Sequence, residues 1–179
     1  MKKLIFSIAL IMLIQYTVSA QQLLSTKSAQ VKFNATGGIE KIAATNNEAD
    51  CKFLTNTGQI VFSILIKGFR FENQLMEDHF NENYLESTKF PKSDFKGYIR
   101  SAKPIDYKID GNYDVTADGI LTIHGVSQKI NTTGKINITG GKVILLSEFK
   151  IKLKDYQIAG LYIGDKIAAE ATINITSKF

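Results

Sequence analysis

Near the end of the chain apolar and polar residues alternate: Val143, Leu145, Ser147, Phe149, Ile151 and Leu153 share one face, and Ile144, Leu146, Glu148, Lys150, Lys152 and Lys154 the other. The second face turns polar only from Glu148, as in a long strand whose later half has one solvated side. Ile167, Ala169, Ala171, Ile173 and Ile175 alternate in the same way with Glu170, Thr172, Asn174 and Thr176. So do Val31, Phe33 and Ala35 with Lys32 and Asn34, and Phe95, Gly97 and Ile99 with Lys96, Tyr98 and Arg100. Turn signals separate such runs: Gly37-Gly38, Asn56-Thr57-Gly58, Asp110-Gly111-Asn112, Asp118-Gly119, Gly140-Gly141 and Gly164-Asp165. Their recurrence predicts an all-β chain, an antiparallel meander of about eight strands rather than alternating strand and helix.

One stretch breaks the period of two. Between Glu72 and Leu85, Met76, Phe80 and Tyr84 recur at every fourth position, which predicts a short helix inserted between strands, ended before Lys89-Phe90-Pro91. A polar loop whose aromatics plug the core edge is the alternative.

A meander with one polar face buries the other against a second sheet or inside a closed barrel. Side-chain size bears on which. Ala169 and Ala171 lie between isoleucines on the last strand, and Thr132 and Gly134 lie between Ile130, Ile136 and Ile138, whereas Ile60, Phe62, Ile64 and Ile66 are uniformly large. A barrel with bulk on one side and small groups on the other encloses an elongated apolar cavity; a core filled by neighbouring side chains is the competing expectation. The candidate lining is Phe33, Phe62, Ile64, Ile66, Phe95, Ile99, Leu145, Phe149, Ala169 and Ala171, with Phe80, Tyr84 and Phe90 gating one end.

The first 20 residues read differently. Lys2-Lys3 precedes an apolar run from Leu4 to Ile14, and small or short residues, Val18-Ser19-Ala20, precede Gln21. This is the layout of a secretory signal peptide cut after Ala20, and the run is too short for a spanning helix. The expected product is one domain, residues 21–179, located in the periplasm or secreted, with no stable membrane insertion. Losing Lys2 and Lys3 lowers the net charge from +5 to +3, and the remaining basic residues are scattered, unlike the clustered stripe that neutralises nucleic-acid phosphates. The single cysteine, Cys51, cannot close an intrachain disulfide and reads as a small core residue on a strand.

Chemistry-bearing groups are few. His79 and His124 are the only histidines, and neither an HExxH element nor paired cysteines accompany them, so no metal site or cofactor is expected. A Gly-x-Ser-x-Gly nucleophile elbow is also lacking. The histidines are expected to satisfy backbone groups at a barrel end or to touch a ligand headgroup; an acid–base pair formed from them is the enzymatic alternative.

Three blocks carry a resemblance. His79-Phe80-Asn81-Glu82-Asn83-Tyr84-Leu85-Glu86-Ser87, followed by Lys89-Phe90-Pro91 and Phe95-Lys96-Gly97, resembles the central motif of the YceI-like family of exported bacterial proteins. Gly119-Ile120-Leu121-Thr122-Ile123-His124-Gly125-Val126-Ser127 is similar to that family's LTIHGVT hairpin, and Asp155-Tyr156 with Ile163-Gly164-Asp165-Lys166-Ile167 to its C-terminal DFG…VGD pattern. The resemblance implies a lipocalin-like antiparallel β-barrel with a short helix near one end, holding a long-chain isoprenoid or similar amphiphilic lipid. The expected function is an exported protein that sequesters or transports such a molecule. The alternatives are an extracytoplasmic enzyme acting on a lipid-like substrate through His79 or His124, and a structural or stress-related module without a ligand.

Overall fold

Among the described residues, side-chain alternation is realised in nine strands: β1 (Leu23–Thr36), β2 (Ala43–Leu54), β3 (Gln59–Leu65), β4 (Arg70–Phe71), β5 (Lys92–Ser101), β6 (Gly111–Ile123), β7 (Val126–Thr139), β8 (Lys142–Lys152) and β9 (Ile167–Lys178). The computed structural model describes residues 22–38 and 41–179; the expected leader, residues 1–20, lies outside the described residues. Eight of the strands form one antiparallel sheet in the order β1-β2-β3-β5-β6-β7-β8-β9, and β9 returns to pair with β1. The sheet is therefore a closed barrel, which removes the free edges an open meander would leave. The two-residue β4 adds to β2 through Ala44↔Phe71 and Thr45↔Arg70.

Closure requires β1 to serve two partners. It pairs with β2 from Leu23↔Leu54 to Asn34↔Ala43, and with β9 from Gln30↔Thr176 to Asn34↔Thr172. Two irregularities in the β1–β2 register flank Ala29. Bulges of this kind bend a strand and increase its twist, which lets one end lean toward each neighbour.

The tight turns follow local chemistry in most places. Thr139↔Lys142 encloses Gly140-Gly141, with φ of +56° and +76°, the left-handed pair that a two-residue hairpin of type I′ demands. The expected turn at Asp118-Gly119 is not formed; both residues lie within β6. Gly119 stands opposite Gly97 on β5, and a Cβ on Gly119 would come within 2.7 Å of the Phe95 ring. Glycine is needed there so that the ring can lie across the sheet.

The expected helix is present and changes character along its length. Helix α1 (Gln74–His79) starts at Asn73, whose side chain accepts from the Leu75 N–H at 2.8 Å. Phe80–Tyr84 then widens into a π-turn, closed by the Leu85 N–H donating to the Phe80 carbonyl at 2.9 Å. Asn81 Nδ2 donates to the Glu77 carbonyl at 2.9 Å where the ladder changes, the kind of insertion that produces such bulges.

Two buried clusters fill the two ends of the barrel. One contains Phe53, Ile60, Ile136, Ile138, Val143 and Leu145; the other contains Ala35, Ile66, Leu121, Ile151, Leu153 and Ala171. Phe33, Phe80, Phe95 and Ile173 are only partly buried and touch both. Those four side chains mark the region where the packing opens.

Candidate functional site

A cavity of about 460 Å³ occupies that region, within the usual size of small-molecule sites, ~300–1,000 Å³. It exists because large inward positions stand opposite small ones, as where Ile151 on β8 faces Ala171 on β9 beside the pair Phe149↔Ile173. Where Ala171 stands opposite Ile151, a larger residue would close the space.

Most of the proposed lining converges. Phe33, Phe62, Ile64, Ile66, Phe95, Ile99, Leu145, Phe149 and Ala171 all border the cavity. Phe80 and Tyr84 border it from the helical segment, together with Met76, so the ridge expected at every fourth position survives the π-turn. His79 reaches the cavity edge from the end of α1.

Three of the proposed residues lie elsewhere. Ala169 is exposed: the β1–β9 register slips between Asn34↔Thr172 and Thr36↔Ile167, and β8 pairs no farther than Lys152↔Glu170, so the strand turns outward at that point. Phe90 packs on the β6–β7 hairpin, its ring 4.6 Å from that of His124 in an edge-on arrangement, and does not border the cavity. His124 is likewise outside. Its Nε2 is 2.8 Å from Glu86 Oε2 and its Nδ1 is 3.3 Å from the Tyr156 carbonyl oxygen. His124 occupies the first position of a two-residue turn with φ of +52°, followed by Gly125 at +74°. Its ring thus fastens the hairpin to two neighbouring segments, while His79 sits at the rim; the two histidines have different surroundings and form no common site. Among the described residues no group of three or more His, Cys, Asp or Glu could hold a metal ion.

Sequence reasoning missed the aromatic cage around Phe80. Phe80 lies 5.2 Å from Phe33 in a stacked arrangement, 5.5 Å from Phe69 and 5.1 Å from Phe71. Phe69 and Phe71 both border the cavity. The signal was available in their alternation with Gly68, Arg70 and Glu72 just ahead of the helix. Arg70 also holds the helix, with Nη1 donating to Glu77 Oε1 at 2.9 Å. Where α1 meets the surface, Asn73, Leu75 and His79 form the cavity rim, and Leu75 is 61% exposed. Across the rim stand Tyr162 and Lys166. Burial, and secondarily the phenol of Tyr162, raises the Tyr84 hydroxyl above its ordinary pKa, so Tyr84 stays neutral.

The walls offer little reactive chemistry. Polar interruptions in the strand walls are the hydroxyl side chains of Ser93 on β5, Thr132 and Thr133 on β7 and Ser147 on β8, and one carboxylate, Asp94 on β5; the rest lie at the rim. Burial pushes the Cys51 thiol up to about 11, which keeps it protonated and unreactive at neutral pH. An apolar chamber with a few hydroxyls suits retention of an apolar chain.

A model of the YceI-like domain matches residues 17–179. Among solved structures, BcnA of Burkholderia cenocepacia aligns with a TM-score of 0.71 at 16% identity, covering 84% of this chain and 96% of that protein. A polyisoprenoid binding domain from Saccharophagus degradans aligns with a TM-score of 0.70 at 11% identity over 87% of this chain and 96% of that one. The YCEI protein of Campylobacter jejuni aligns with a TM-score of 0.61 at 21% identity over 80% and 86%. At these identities the structural likeness establishes the fold. A search of curated proteins gives no match.

Proposed function

The chain belongs to the YceI-like family, and on that premise we propose that it is a binding protein which holds a long-chain isoprenoid or similar amphiphilic lipid in its barrel. The observation that carries this reading is the cavity of about 460 Å³, whose walls come from inward faces of the strands and from the Phe80 cage. Burying an apolar chain yields about 0.8 kcal/mol per methylene, so such a site needs few polar contacts. The same physics accounts for its scarcity of charged groups. The solved structure from Saccharophagus degradans, described as a polyisoprenoid binding domain, supports the ligand class. Sequestration or transport outside the cytoplasm completes the proposal. It is supported by the Lys2-Lys3 start, the apolar run to Ile14 and the short residues before Gln21.

Native mass spectrometry of protein purified without detergent is the direct test. The expected result is a protein peak carrying the mass of a lipid, together with a rise in melting temperature on adding farnesol or a longer polyprenol. A bare protein whose melting is unmoved by either would overturn the proposal.

A further inference from the structure

The barrel wall is interrupted on one side. β7 and β8 are joined by ladder pairing from Gly134↔Ser147 to Thr139↔Lys142, although β7 begins at Val126 and β8 runs to Lys152. Extending the same register would set Thr132 against Phe149 and Thr133 against Glu148, and neither pair forms. The two sides are bridged again farther on, where Gln128 Nε2 donates to the Asp155 carbonyl at 2.8 Å, in the turn that follows β8. A slot is left between the ladder at one end and this bridge at the other.

The slot begins on hydroxyls. Ser147 Oγ donates to the Thr133 carbonyl at 2.8 Å, and Thr132 Oγ1 lies 3.4 Å from Ser147 Oγ. Side chains thus satisfy backbone that the ladder leaves unpaired. Where the ladder ends only one strand layer separates the internal cavity from a groove on the outer surface, and Val115, Thr133, Gly134, Ser147 and Ile175 border both.

We propose that the slot between β7 and β8 is a lateral portal to the cavity, and that it seats the uncharged, hydrogen-bonding head of an amphiphile whose chain lies inside. The inference rests on the binding function proposed above and specifies its ligand. The head-group class follows from the groove's charges. Its cations are matched, Arg100 with Asp118 at 3.3 Å and Lys135 with Asp114 at 2.6 Å, and Glu148 borders it as well. No positive charge is left over among these residues to favour a phosphate. The hydroxyls of Thr132 and Ser147 can both donate and accept, which suits an alcohol or a carbonyl.

Thr133 and Glu148 are exposed, so a Thr133→Cys/Glu148→Cys variant can be bridged from outside, by oxidation or by a short bis-maleimide, while buried Cys51 stays untouched. Farnesol uptake, followed by displacement of N-phenyl-1-naphthylamine in a stopped-flow instrument, is expected to slow at least about tenfold when the slot is bridged, bridging adding a barrier that a tenfold change in rate reports. The reduced, unbridged variant is the reference, so that the two substitutions themselves cancel from the comparison. Equal uptake rates with the slot bridged and unbridged would overturn the portal. Uptake absent from both the parent and the unbridged variant would instead overturn the underlying binding function. For the head group, Thr132→Val keeps the side-chain shape and removes the hydroxyl. It is expected to weaken farnesol roughly three- to tenfold, the net worth of one hydrogen bond, and to leave the hydrocarbon farnesane unchanged. Equal effects on both molecules, or tighter binding of farnesyl phosphate than of farnesol, would overturn the head-group assignment.

Discussion

Replacing Phe80 by alanine removes three ring contacts at once, those with Phe33 at 5.2 Å, Phe69 at 5.5 Å and Phe71 at 5.1 Å. Each aromatic pair contributes about 0.5–1.5 kcal/mol beyond the burial of its area. A fully buried phenylalanine typically loses about 3–5 kcal/mol on truncation. Phe80 is only partly buried and already faces open space, so the void it leaves merges with the existing cavity and adds little new apolar surface to the inside. The expected loss is therefore about 2–3 kcal/mol, at or just below the lower limit of that range. In a domain of this size that is a drop of roughly 5–10 °C in melting temperature. Urea unfolding with linear extrapolation measures it, with Phe90→Ala as the comparison. Among the described residues Phe90 has one ring partner, His124 at 4.6 Å, and it lies outside the cavity, so its truncation is expected to remove about 1 kcal/mol. The Phe80 variant is also expected to release a bound apolar probe faster, because α1 loses its anchor in the barrel. A Phe80→Ala protein within 1 kcal/mol of the parent, or no less stable than Phe90→Ala, would refute the cage as the helix's attachment.

Two further outcomes follow from the same geometry. Ala171→Phe places a ring where Ala171 and Ile151 face each other across β9 and β8. It is expected to lower probe affinity at least about tenfold while overpacking removes about 1–3 kcal/mol of stability, and fluorescence titration beside circular dichroism separates the two effects. The buried Cys51 thiol makes stability pH-dependent at the alkaline end. Its folded pKa of about 11 stands above the unfolded value of 9.0, so the unfolded chain gives up its proton first and stability falls as pH rises from 9 to 11. The stability difference between the parent and Cys51→Ala is expected to shrink over that window by about 2–3 kcal/mol; parallel curves for the two proteins would refute the assignment.

Strand alternation is legible because each face is governed by a two-residue period that holds wherever the pairing register is unbroken. Val31, Phe33 and Ala35, or Phe95 and Ile99, point inward wherever the strand goes. The exceptions share a physical cause, namely backbone behaviour that depends on a partner strand. Gly119 looked like a turn residue beside Asp118, yet its glycine character answers the Phe95 ring arriving from the neighbouring strand. Ala169 has the parity of Ala171 and still turns outward, because the slip between Asn34↔Thr172 and Thr36↔Ile167 belongs to the pairing and not to either segment alone. The helix between Glu72 and Leu85 was visible in Met76, Phe80 and Tyr84, while its widening at Phe80 depends on where the Asn81 side chain finds an acceptor. His124 drew notice as a chemical group; its role is set by Glu86, Tyr156 and Phe90, which are 38, 32 and 34 positions away in the chain. The gap between β7 and β8 was beyond reach, since both strands alternate normally through it.

The seam at which β1 meets β9 has a consequence for how the chain is made. It joins Gln30 to Thr176 and Phe33 to Ile173, nearly the full length of the domain apart, so it can form only after the last strand has been synthesised. Until then β1 and β8 are open edges with apolar inner faces, a state prone to pairing with other chains. Contacts this distant in sequence also slow folding, because loop closure must precede the reward. A chain cut short before Ile167 would therefore be an aggregating species rather than a smaller stable barrel, and a ribosome stalled before β9 is complete would hold most of the walls with both edges still open.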